Sequence, residues 1–400
     1  MTSKERLLAI LRGKPADRGA WAPFLTYWWD NNLIDDAVKL GEVGFKRAVG
    51  ADLLIRGHRD RPSNLIYKNL NMFKVSYGKT KFAEVIQDNR KYEIYETPIG
   101  SLQASYTYSQ KGNTWFLQEH PVKAAADFKI LAYIAADTNL TPDYSDYEEE
   151  CLKNPDALYL PLITPYKKSA FQSLLEYWVG AEELYYFLAD EPDAVDEAIA
   201  AMQRTSMEAA HISANSPAEA FLSWEDTSTT IISPAWYEHY ILPEINGWCD
   251  IVHSTGKLYV QHACGHLRGL VPLFASSKID AIESVSDPPT SDIPFCEFFD
   301  LMPERIAVIG GIEPTFFLLS NNEELEERVC YLCERFKGKR FILANADSCP
   351  PGVDIDKFGL ISRCLHRYYG MEPPAIASFN KNKRIEPHGI AVHHGSIINQ

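Results

Sequence analysis

Short, nearly continuous apolar runs alternate with amphipathic helical segments along most of this chain. Unbroken apolar runs are typical of parallel strands that are buried on both faces of a sheet. Eight such runs occur, at residues 20–28, 51–57, 158–165, 220–226, 257–265, 279–285, 305–313 and 340–350. Because helical segments separate them, the pattern favours an α/β fold, a (β/α)8 TIM barrel, over an open doubly wound sheet.

Two segments depart from this alternation. Residues 3–12 carry Leu7, Leu8 and Leu11 on one helical face and end at a Gly-Lys-Pro break, which predicts an N-terminal capping helix. Residues 63–120 alternate polar and apolar positions between turn signals, which predicts an antiparallel β-hairpin inserted between strands two and three. We therefore expect a single barrel domain over residues 1–372 with this insertion, followed by a polar C-terminal tail over 373–400.

The composition narrows the possible partners and compartments. With 46% hydrophobic residues, a chain of 400 residues buries a large core. A formal net charge of −15 argues against nucleic acid, since such partners are bound largely through clustered Lys and Arg. No run is long and apolar enough for a membrane span, and the polar start is no signal peptide, so we expect a soluble cytoplasmic protein with reduced cysteines.

Polar residues follow the predicted strands at the barrel end where active sites lie. They are Glu225 and Asp226 after strand four, His262 and Cys264 after strand five, Glu283 on strand six, and Asp347 and Cys349 after strand eight. His262 and Cys264 are two residues apart, so in an extended segment both face one side and can reach one ion. Taken alone, the pair is better interpreted as a core histidine beside a small core cysteine.

A second cysteine at the same barrel rim changes this interpretation. His262, Cys264 and Cys349 form a nitrogen and sulfur set that suits Zn²⁺ and leaves a fourth position open. Cys330 and Cys333 also have ligand spacing, but they lie within a predicted helix and lack a second pair. Glu225 and Asp226 are candidate catalytic carboxylates, although as neighbours on a strand they point to opposite faces.

Four stretches make the chain resemble the uroporphyrinogen decarboxylase superfamily, and within it the zinc-containing methyltransferases that work with corrinoid proteins. They are residues 6–18, 232–243, 256–265 and 345–351. The His-x-Cys-Gly element with a distant cysteine is the specific part, and the resemblance implies that His262, Cys264 and Cys349 are zinc ligands. It also implies that a corrinoid protein carrying a methylcobamide docks at the carboxyl-terminal face of the barrel.

The substrate is less defined than the metal site. In the decarboxylases, arginines that grip porphyrin carboxylates follow the Asp-Arg pair, whereas residues 21–29 here are aromatic and contain no arginine, so a tetrapyrrole polyacid is not expected. Tyr27, Trp28 and Tyr166 are candidates to wall a small substrate, with Glu283 and Asp347 as further contacts, and ordinary packing is an equal alternative. The resemblance leaves open a thiol methyl acceptor or a methyl donor such as a methoxylated aromatic, as in O-demethylation.

Three other functions remain open at this point. One is decarboxylation of the uroporphyrinogen type. The second is a metal-free barrel hydrolase with Glu225 and Glu283 as acid and base, and the third is a binding barrel without catalysis. Metal content separates the first-choice function from the hydrolase, because only the methyltransferase needs a zinc ion.

Overall fold

The computed structural model describes residues 1–32, 34–60, 68–110, 112, 114–385 and 397–398. Its strands are β1 (Ala20–Trp21), β2 (Leu54–Arg56), β3 (Phe73–Tyr77), β4 (Lys81–Gln87), β5 (Arg90–Thr97), β6 (Gly100–Ser109), β7 (Thr114–Glu119), β8 (Thr138–Pro142), β9 (Leu158–Leu160), β10 (Ala220–Ser223), β11 (Leu258–His262), β12 (Ala281–Val285), β13 (Ala307–Ile312), β14 (Phe341–Asn345) and β15 (Ile397–Ile398).

The α-helices account for most of the intervening chain. They are α1 (Ser3–Leu11), α2 (Thr26–Asn32), α3 (Asp35–Ala48), α4 (Asp127–Ala136), α5 (Ser145–Lys153), α6 (Ala170–Ser173), α7 (Ala181–Asp190), α8 (Pro192–Ala214), α9 (Pro234–Trp236), α10 (Leu242–His253), α11 (Val271–Ser276), α12 (Phe295–Leu301), α13 (Pro314–Leu319), α14 (Asn322–Arg335) and α15 (Asp356–Tyr368). Among the described residues, none of the helices has the length and apolar character that crossing a membrane requires.

Two compact units divide the chain. The first comprises residues 1–70, 145–162 and 217–386, and the second comprises 71–144, 163–216 and 387–400. All strands of the predicted barrel fall in the first unit, whereas the antiparallel strands fall in the second.

The first unit contains the predicted (β/α)8 barrel. Six parallel strands run in the order β1-β14-β13-β12-β11-β10, and β2 pairs in parallel with β9. A parallel bridge between Leu162 and Leu222 joins the end of β9 to β10, and the Asp52 N–H donates to the Trp21 carbonyl at 2.6 Å between β2 and β1. These contacts lead from each strand to the next around the ring.

Every second residue of the barrel strands points into a common core. Small and aliphatic side chains fill it, from Ala20 and Ala22, Leu54, Leu158 and Leu160, Ala220 and Leu222, Leu258 and Val260, Ala281, Ala307 and Ile309, and Ile342 and Ala344. Leu7, Ile10 and Leu11 of α1 pack into the same cluster, so the predicted N-terminal helix closes one end of the barrel. The period of two thus separates the packed interior from the residues that face the helices.

The amino-terminal end of the barrel is tied by a buried ionic network. Asp52, 1% exposed, accepts hydrogen bonds from Arg6 Nη1 at 2.5 Å, Arg18 Nη1 at 2.8 Å and the Trp21 N–H at 3.0 Å. Arg6 also binds Asp17 through Nε at 2.7 Å and Nη2 at 2.9 Å. The Asp17-Arg18 pair of the sequence motif therefore joins α1 to the starts of β1 and β2.

Several strands are shorter than predicted, and two local differences have a cause in the sequence. The first strand was expected over residues 20–28, but β1 ends at Trp21 and α2 begins at Thr26, because Pro23 has no N–H to continue a ladder. The helix expected between Pro234 and His253 contains a π-helical turn over Tyr237–Ile241. Pro243 explains this turn, since its ring prevents the regular bond to the residue four positions before it.

The second unit is built on antiparallel sheets. Its larger sheet has the order β15-β4-β5-β6-β7, and β3 pairs with β8. The antiparallel insertion expected between barrel strands two and three is confirmed, and it is larger than one hairpin. Its expected start at residue 63 lies outside the described residues. Helix α8 packs on α4, where Thr205 Oγ1 donates to the Ala135 carbonyl at 2.9 Å.

The described part of the C-terminal segment that belongs to the first unit lies along α3. The Ala377 N–H donates to the Ala48 carbonyl at 2.9 Å, and the rings of Phe379 and Phe45 are 5.4 Å apart. Lys383 Nζ lies 2.6 Å from Asp35 Oδ2. These contacts attach residues 377–383 to the outside of the barrel.

Candidate functional site

Three potential metal ligands converge at the carboxyl-terminal ends of β10 and β11. Their donor atoms, on Asp226, His262 and Cys264, lie within 4.8 Å of one another. His262 Nε2 is 3.3 Å from Asp226 Oδ1, and the Cys264 Sγ is 3.8 Å from the same oxygen. His262 is 2% exposed while the Asp226 side chain is 45% exposed, so the group opens to solvent through the carboxylate.

Gly265 allows the chain to turn away directly after Cys264. Its φ of +83° lies in the left-handed region, and a Cβ there would stand 2.8 Å from Ser228 Oγ. Ser228 Oγ in turn accepts the His266 N–H at 3.0 Å. A glycine is therefore required after the His-x-Cys pair both by backbone conformation and by the space beside Ser228.

The other imidazole nitrogen of His262 faces β12. His262 Nδ1 lies 3.2 Å from Glu283 Oε1 and 3.2 Å from Ser284 Oγ. In a regular strand these neighbours would point to opposite faces, but β12 shifts register between Glu283 and Val285, and Ser284 has a φ of +71°. The bulge thus turns two consecutive side chains toward one ring.

Arg56, the last residue of β2, holds Glu283 from the far side. Its Nε donates to Glu283 Oε2 at 2.5 Å, and both side chains are at most 2% exposed. Arg56 Nη1 and Nη2 donate to the carbonyls of Pro23 and Ala22 at 3.2 and 3.1 Å. The guanidinium therefore connects the ends of β1, β2 and β12 below His262.

Burial and these contacts shift the ionisation of the group in opposing directions. Burial alone would raise the pKa of Glu283, but the charge of Arg56 and the hydrogen bond with His262 lower it to about 2. Burial would lower the pKa of His262, yet its bonds with Asp226, Cys264 and Glu283 raise it well above the ordinary range. Burial raises the pKa of the Cys264 thiol, against the influence of His262. Without a metal, the imidazole is thus the local cation.

Aromatic rings surround His262 on its remaining sides. Phe24 and Trp224 stack with centroids 5.5 Å apart, and both approach the imidazole edgewise, at 6.0 and 5.2 Å. Asn345 at the end of β14 holds the Phe24 backbone through both its N–H and its carbonyl, each at 2.9 Å. The imidazole is consequently fixed by packing as well as by hydrogen bonds.

The carboxylates expected to be catalytic occupy different environments. Asp226 belongs to the donor group, whereas the adjacent Glu225 is completely buried. Glu225 lies near Tyr237 and Tyr259, where its charge adds to the burial that raises the pKa of both phenols. The two neighbours thus differ in burial, and their opposite orientation stays a prediction.

The residues of strand eight lie close to the donor group without completing it. Asp347, at a φ of +60°, is near enough to Cys264 for its charge to raise the pKa of that thiol. Cys349 is buried, its Sγ lies 3.8 Å from the Pro350 carbonyl, and it is not a member of the 4.8 Å group among the described residues. Its role as a zinc ligand stays a prediction.

The three aromatic residues expected to wall the substrate have different surroundings. Tyr27 is 45% exposed on α2, and its N–H donates to Ser348 Oγ at 2.8 Å. Trp28 is 1% exposed, stacks on Phe45 and donates from Nε1 to the Val353 carbonyl, so it packs between helices. Tyr166 belongs to the second unit, and its part in substrate binding stays a prediction.

Sequence reasoning missed Arg56, Phe24 and Trp224. A signal for Arg56 was present, because a charged residue closes an otherwise apolar strand at the barrel end where polar residues were being sought. Phe24 and Trp224 had no comparable signal, since an aromatic residue after a strand is equally common in ordinary cores.

The chemistry of the donor group fits a zinc ion. An imidazole nitrogen, a thiolate and a carboxylate oxygen are the ligand types that Zn²⁺ takes in proteins. Glu283 on the distal nitrogen of His262 is the kind of carboxylate partner that orients a metal-binding histidine. Two independent features of the site therefore agree with a metal centre.

Comparison with known proteins agrees with this fold. Residues 170–368 match the family model for uroporphyrinogen decarboxylase. The superfamily expected from the sequence is thereby confirmed. A methyltransferase from Methanosarcina mazei has the same fold, with a TM-score of 0.57 and 11% identity over 92% of this chain and 99% of that one.

A second solved structure is a B12-independent methionine synthase from Shewanella in complex with selenomethionine, with a TM-score of 0.44 and 10% identity over 88% of this chain and 96% of that chain. No curated protein matches the sequence significantly.

Proposed function

We propose that this chain is a zinc-dependent methyltransferase that moves a methyl group between a corrinoid protein and a small molecule. The observation that carries the proposal is the convergence of Asp226, His262 and Cys264 at the carboxyl-terminal end of a barrel of this superfamily. The methyltransferase from Methanosarcina mazei, which shares the fold, supports this class of reaction.

His262 and Cys264 are the proposed ligands that the structure already brings together. Cys349 is the third ligand implied by the superfamily resemblance, although its Sγ lies 3.8 Å from the Pro350 carbonyl and is not part of the donor group among the described residues. Asp226 is positioned to complete the set until a substrate heteroatom takes its place, because it is the exposed member of the group.

The side chains prepare the site for a cation. Glu283 accepts the proton on His262 Nδ1, so the proton that the imidazolium gives up to a metal is the one at Nε2, on the side of Asp226 and Cys264. The Cys264 thiol is protonated at neutral pH because burial raises its pKa, and Asp226 Oδ1 is the acceptor at 3.8 Å toward which that proton points. Metal binding is therefore coupled to proton release from both Cys264 and His262.

Bound zinc supplies Lewis acidity, which favours the anionic form of a substrate thiol or assists the departure of a demethylated oxygen. The stacked rings of Phe24 and Trp224 shield His262 from water and offer an apolar surface beside the donor group. The corrinoid protein would dock on the same barrel face, because its cobalt must approach the methyl group within bonding distance.

The metal-free hydrolase lacks support in this arrangement. Glu283 has a pKa of about 2 and both its oxygens are engaged, so it is a weak base and carries no proton for general acid catalysis at neutral pH. Its supposed partner Glu225 is completely buried. Decarboxylation of a tetrapyrrole polyacid would need cationic groups that residues 21–29 do not provide.

The decisive experiment measures zinc content and methyl transfer on the same preparation. The protein is mixed with a methyl-Co(III) corrinoid and a panel of thiols, or with a Co(I) corrinoid and a panel of methoxylated aromatics, while the cobalt absorption is followed. A change in one arm also gives the direction of transfer. Full retention of activity after zinc removal, or decarboxylation of uroporphyrinogen by this chain, would overturn the proposal.

Cysteine variants assign the ligands. We expect Cys264→Ser to lose zinc, and loss in Cys349→Ser would show that this thiol joins the set. Cys330→Ser is the matched control, since Cys330 is an exposed cysteine on α14 outside the donor group. If Cys330→Ser lost zinc to the same extent, zinc loss in the other two variants would not identify Cys264 and Cys349 as ligands.

A further inference from the structure

A buried ion pair between Arg56 and Glu283 supports the proposed ligand His262. The sequence did not lead us to expect this pair at the metal site. Glu283 uses one oxygen for His262 Nδ1 at 3.2 Å and the other for Arg56 Nε at 2.5 Å. Neither oxygen is therefore directed toward Asp226 and Cys264. The ion pair lies on the opposite side of the imidazole from those two donors.

Arg56 is itself held from several directions. Its terminal nitrogens donate to the carbonyls of Ala22 and Pro23, and its Cζ lies 5.1 Å from the centre of the Phe24 ring. Phe24 in turn contacts the His262 ring edgewise. Arg56 is thus linked to the His262 imidazole through two intermediates. One is Glu283, which contacts both side chains, and the other is the ring of Phe24.

The backbone of β2 around Arg56 is fixed by a second buried group of charges. His58 lies with Nδ1 2.5 Å from the Arg56 carbonyl and with Nε2 2.8 Å from Glu42 Oε2. Lys46 binds the other Glu42 oxygen at 2.9 Å and donates to the Leu54 carbonyl at 2.8 Å. The position of the guanidinium is consequently determined by α3 as well as by the strand ends.

We propose that Arg56 is a positioning residue for metal binding, an inference that rests on the proposed function. It holds Glu283 as the acceptor for His262 Nδ1 and so directs Nε2 toward Asp226 and Cys264. Arg56 also keeps Glu283 from serving as a ligand, because the carboxylate cannot leave the guanidinium without exposing a buried unpaired charge. The fourth donor is then Asp226 or the substrate.

The test compares metal affinity in Arg56→Lys and Arg56→Gln with that of the wild type. Dissociation constants for Zn²⁺ and Co²⁺ are measured by competition with a chelator on the folded full-length protein, and the visible absorption of the Co²⁺ form reports ligand geometry. We expect affinity to fall roughly 10- to 100-fold, as is usual when the partner of a metal-binding histidine is lost. Arg56→Lys should lose less than Arg56→Gln, and the Co²⁺ spectrum should change in both.

Arg18→Lys is the matched control. Arg18 is also a buried arginine paired with a buried aspartate, Asp52, but it lies at the amino-terminal end of the barrel. It should lower thermal stability without changing the metal affinity or the Co²⁺ spectrum. Arg56→Lys, which keeps the positive charge, carries the test if Arg56→Gln does not fold.

Two results would overturn the inference. Unchanged affinity in both Arg56 variants would reduce Arg56 to a structural residue. Tighter binding would show that Arg56 opposes metal binding instead of positioning His262 for it. Failure of the wild type to bind zinc would instead overturn the proposed function, and chelator competition on that protein distinguishes the two failures.

Discussion

The two ends of the barrel contain similar buried charges in different balance. At the amino-terminal end, Arg6 and Arg18 face Asp17 and Asp52, and the acceptors of Asp52 are filled by two guanidiniums and one backbone N–H. Opposite charges match there, and the whole network joins α1 to β1 and β2. Such a network stabilises the fold and has no place for a further cation.

At the carboxyl-terminal end, Glu283 is matched by Arg56, while Asp226 faces His262 and Asp347 lies near Cys264. Asp226 is left with the imidazole as its neighbouring cation, and the pKa of His262 is raised accordingly. When His262 loses its proton, the neighbouring carboxylate no longer has a cation beside it, and a metal ion can take that role. Charged groups therefore stabilise structure at one end and, under the proposed function, hold a metal ion at the other.

The largest effect that would test this difference is expected for His262→Ala. It removes the nitrogen donor from the group, so zinc content should fall from one ion per chain to none and methyl transfer should cease. Elemental analysis and the corrinoid assay measure both. A variant that retained one tightly bound zinc would contradict the comparison, because the carboxyl-terminal end would then not depend on its central donor.

Asp52→Ala should lower stability without weakening zinc binding. It leaves two buried guanidiniums without their shared partner, and we expect the free energy of unfolding to fall by about 3–5 kcal/mol. Urea unfolding of the metal-free protein measures the change. The folded variant should bind zinc as tightly as the wild type, and weakened binding would show that the two ends are coupled.

Asn345→Ala should affect both stability and metal binding, each to a smaller extent. It removes the two hydrogen bonds that hold the Phe24 backbone, so we expect a loss of roughly 1–3 kcal/mol in unfolding free energy. Because Phe24 packs on His262, zinc affinity should fall by a few-fold. Asn345→Asp keeps the acceptor for the Phe24 N–H and should restore part of the stability and part of the zinc affinity. If zinc affinity were unchanged in Asn345→Ala, the role of Phe24 would be limited to packing.

The smallest effect concerns a histidine at the amino-terminal end. The hydrogen bond with Asp280 raises the pKa of His253 above its ordinary value of 6.5, aided by Asp250 and opposed by burial and Lys278. A raised pKa means that the pair stabilises the fold below about pH 6.5 and that this contribution disappears as the pH rises through the raised value.

Because the His253 side chain is about one-third exposed, His253→Gln should cost less than about 1 kcal/mol at pH 5.5 and nothing at pH 9. Thermal unfolding of variant and wild type at both pH values measures this difference. A cost that was equal at the two values would show that the ion pair has no part in it.

The barrel was predictable because its signals are local. Each buried parallel strand is an apolar run, and the breaks between runs contain the glycines, prolines and polar residues that end strands and begin helices. Strand ends were less predictable: residues 22–28 are as apolar as a strand, yet Pro23 ends the ladder and Thr26–Asn32 folds as a helix. Apolar sequence reports burial more reliably than it reports backbone conformation.

The sequence by itself determined that His262 and Cys264 share one face at the end of a barrel strand, since spacing along a strand is enough to establish that relation. Tertiary structure decided which residues join them. It placed Asp226 in the donor group, left Cys349 outside it in the described residues, and put Arg56 and Glu283 behind the imidazole. Arg56 and Glu283 are 227 positions apart in the chain, and only closure of the barrel brings such residues into contact.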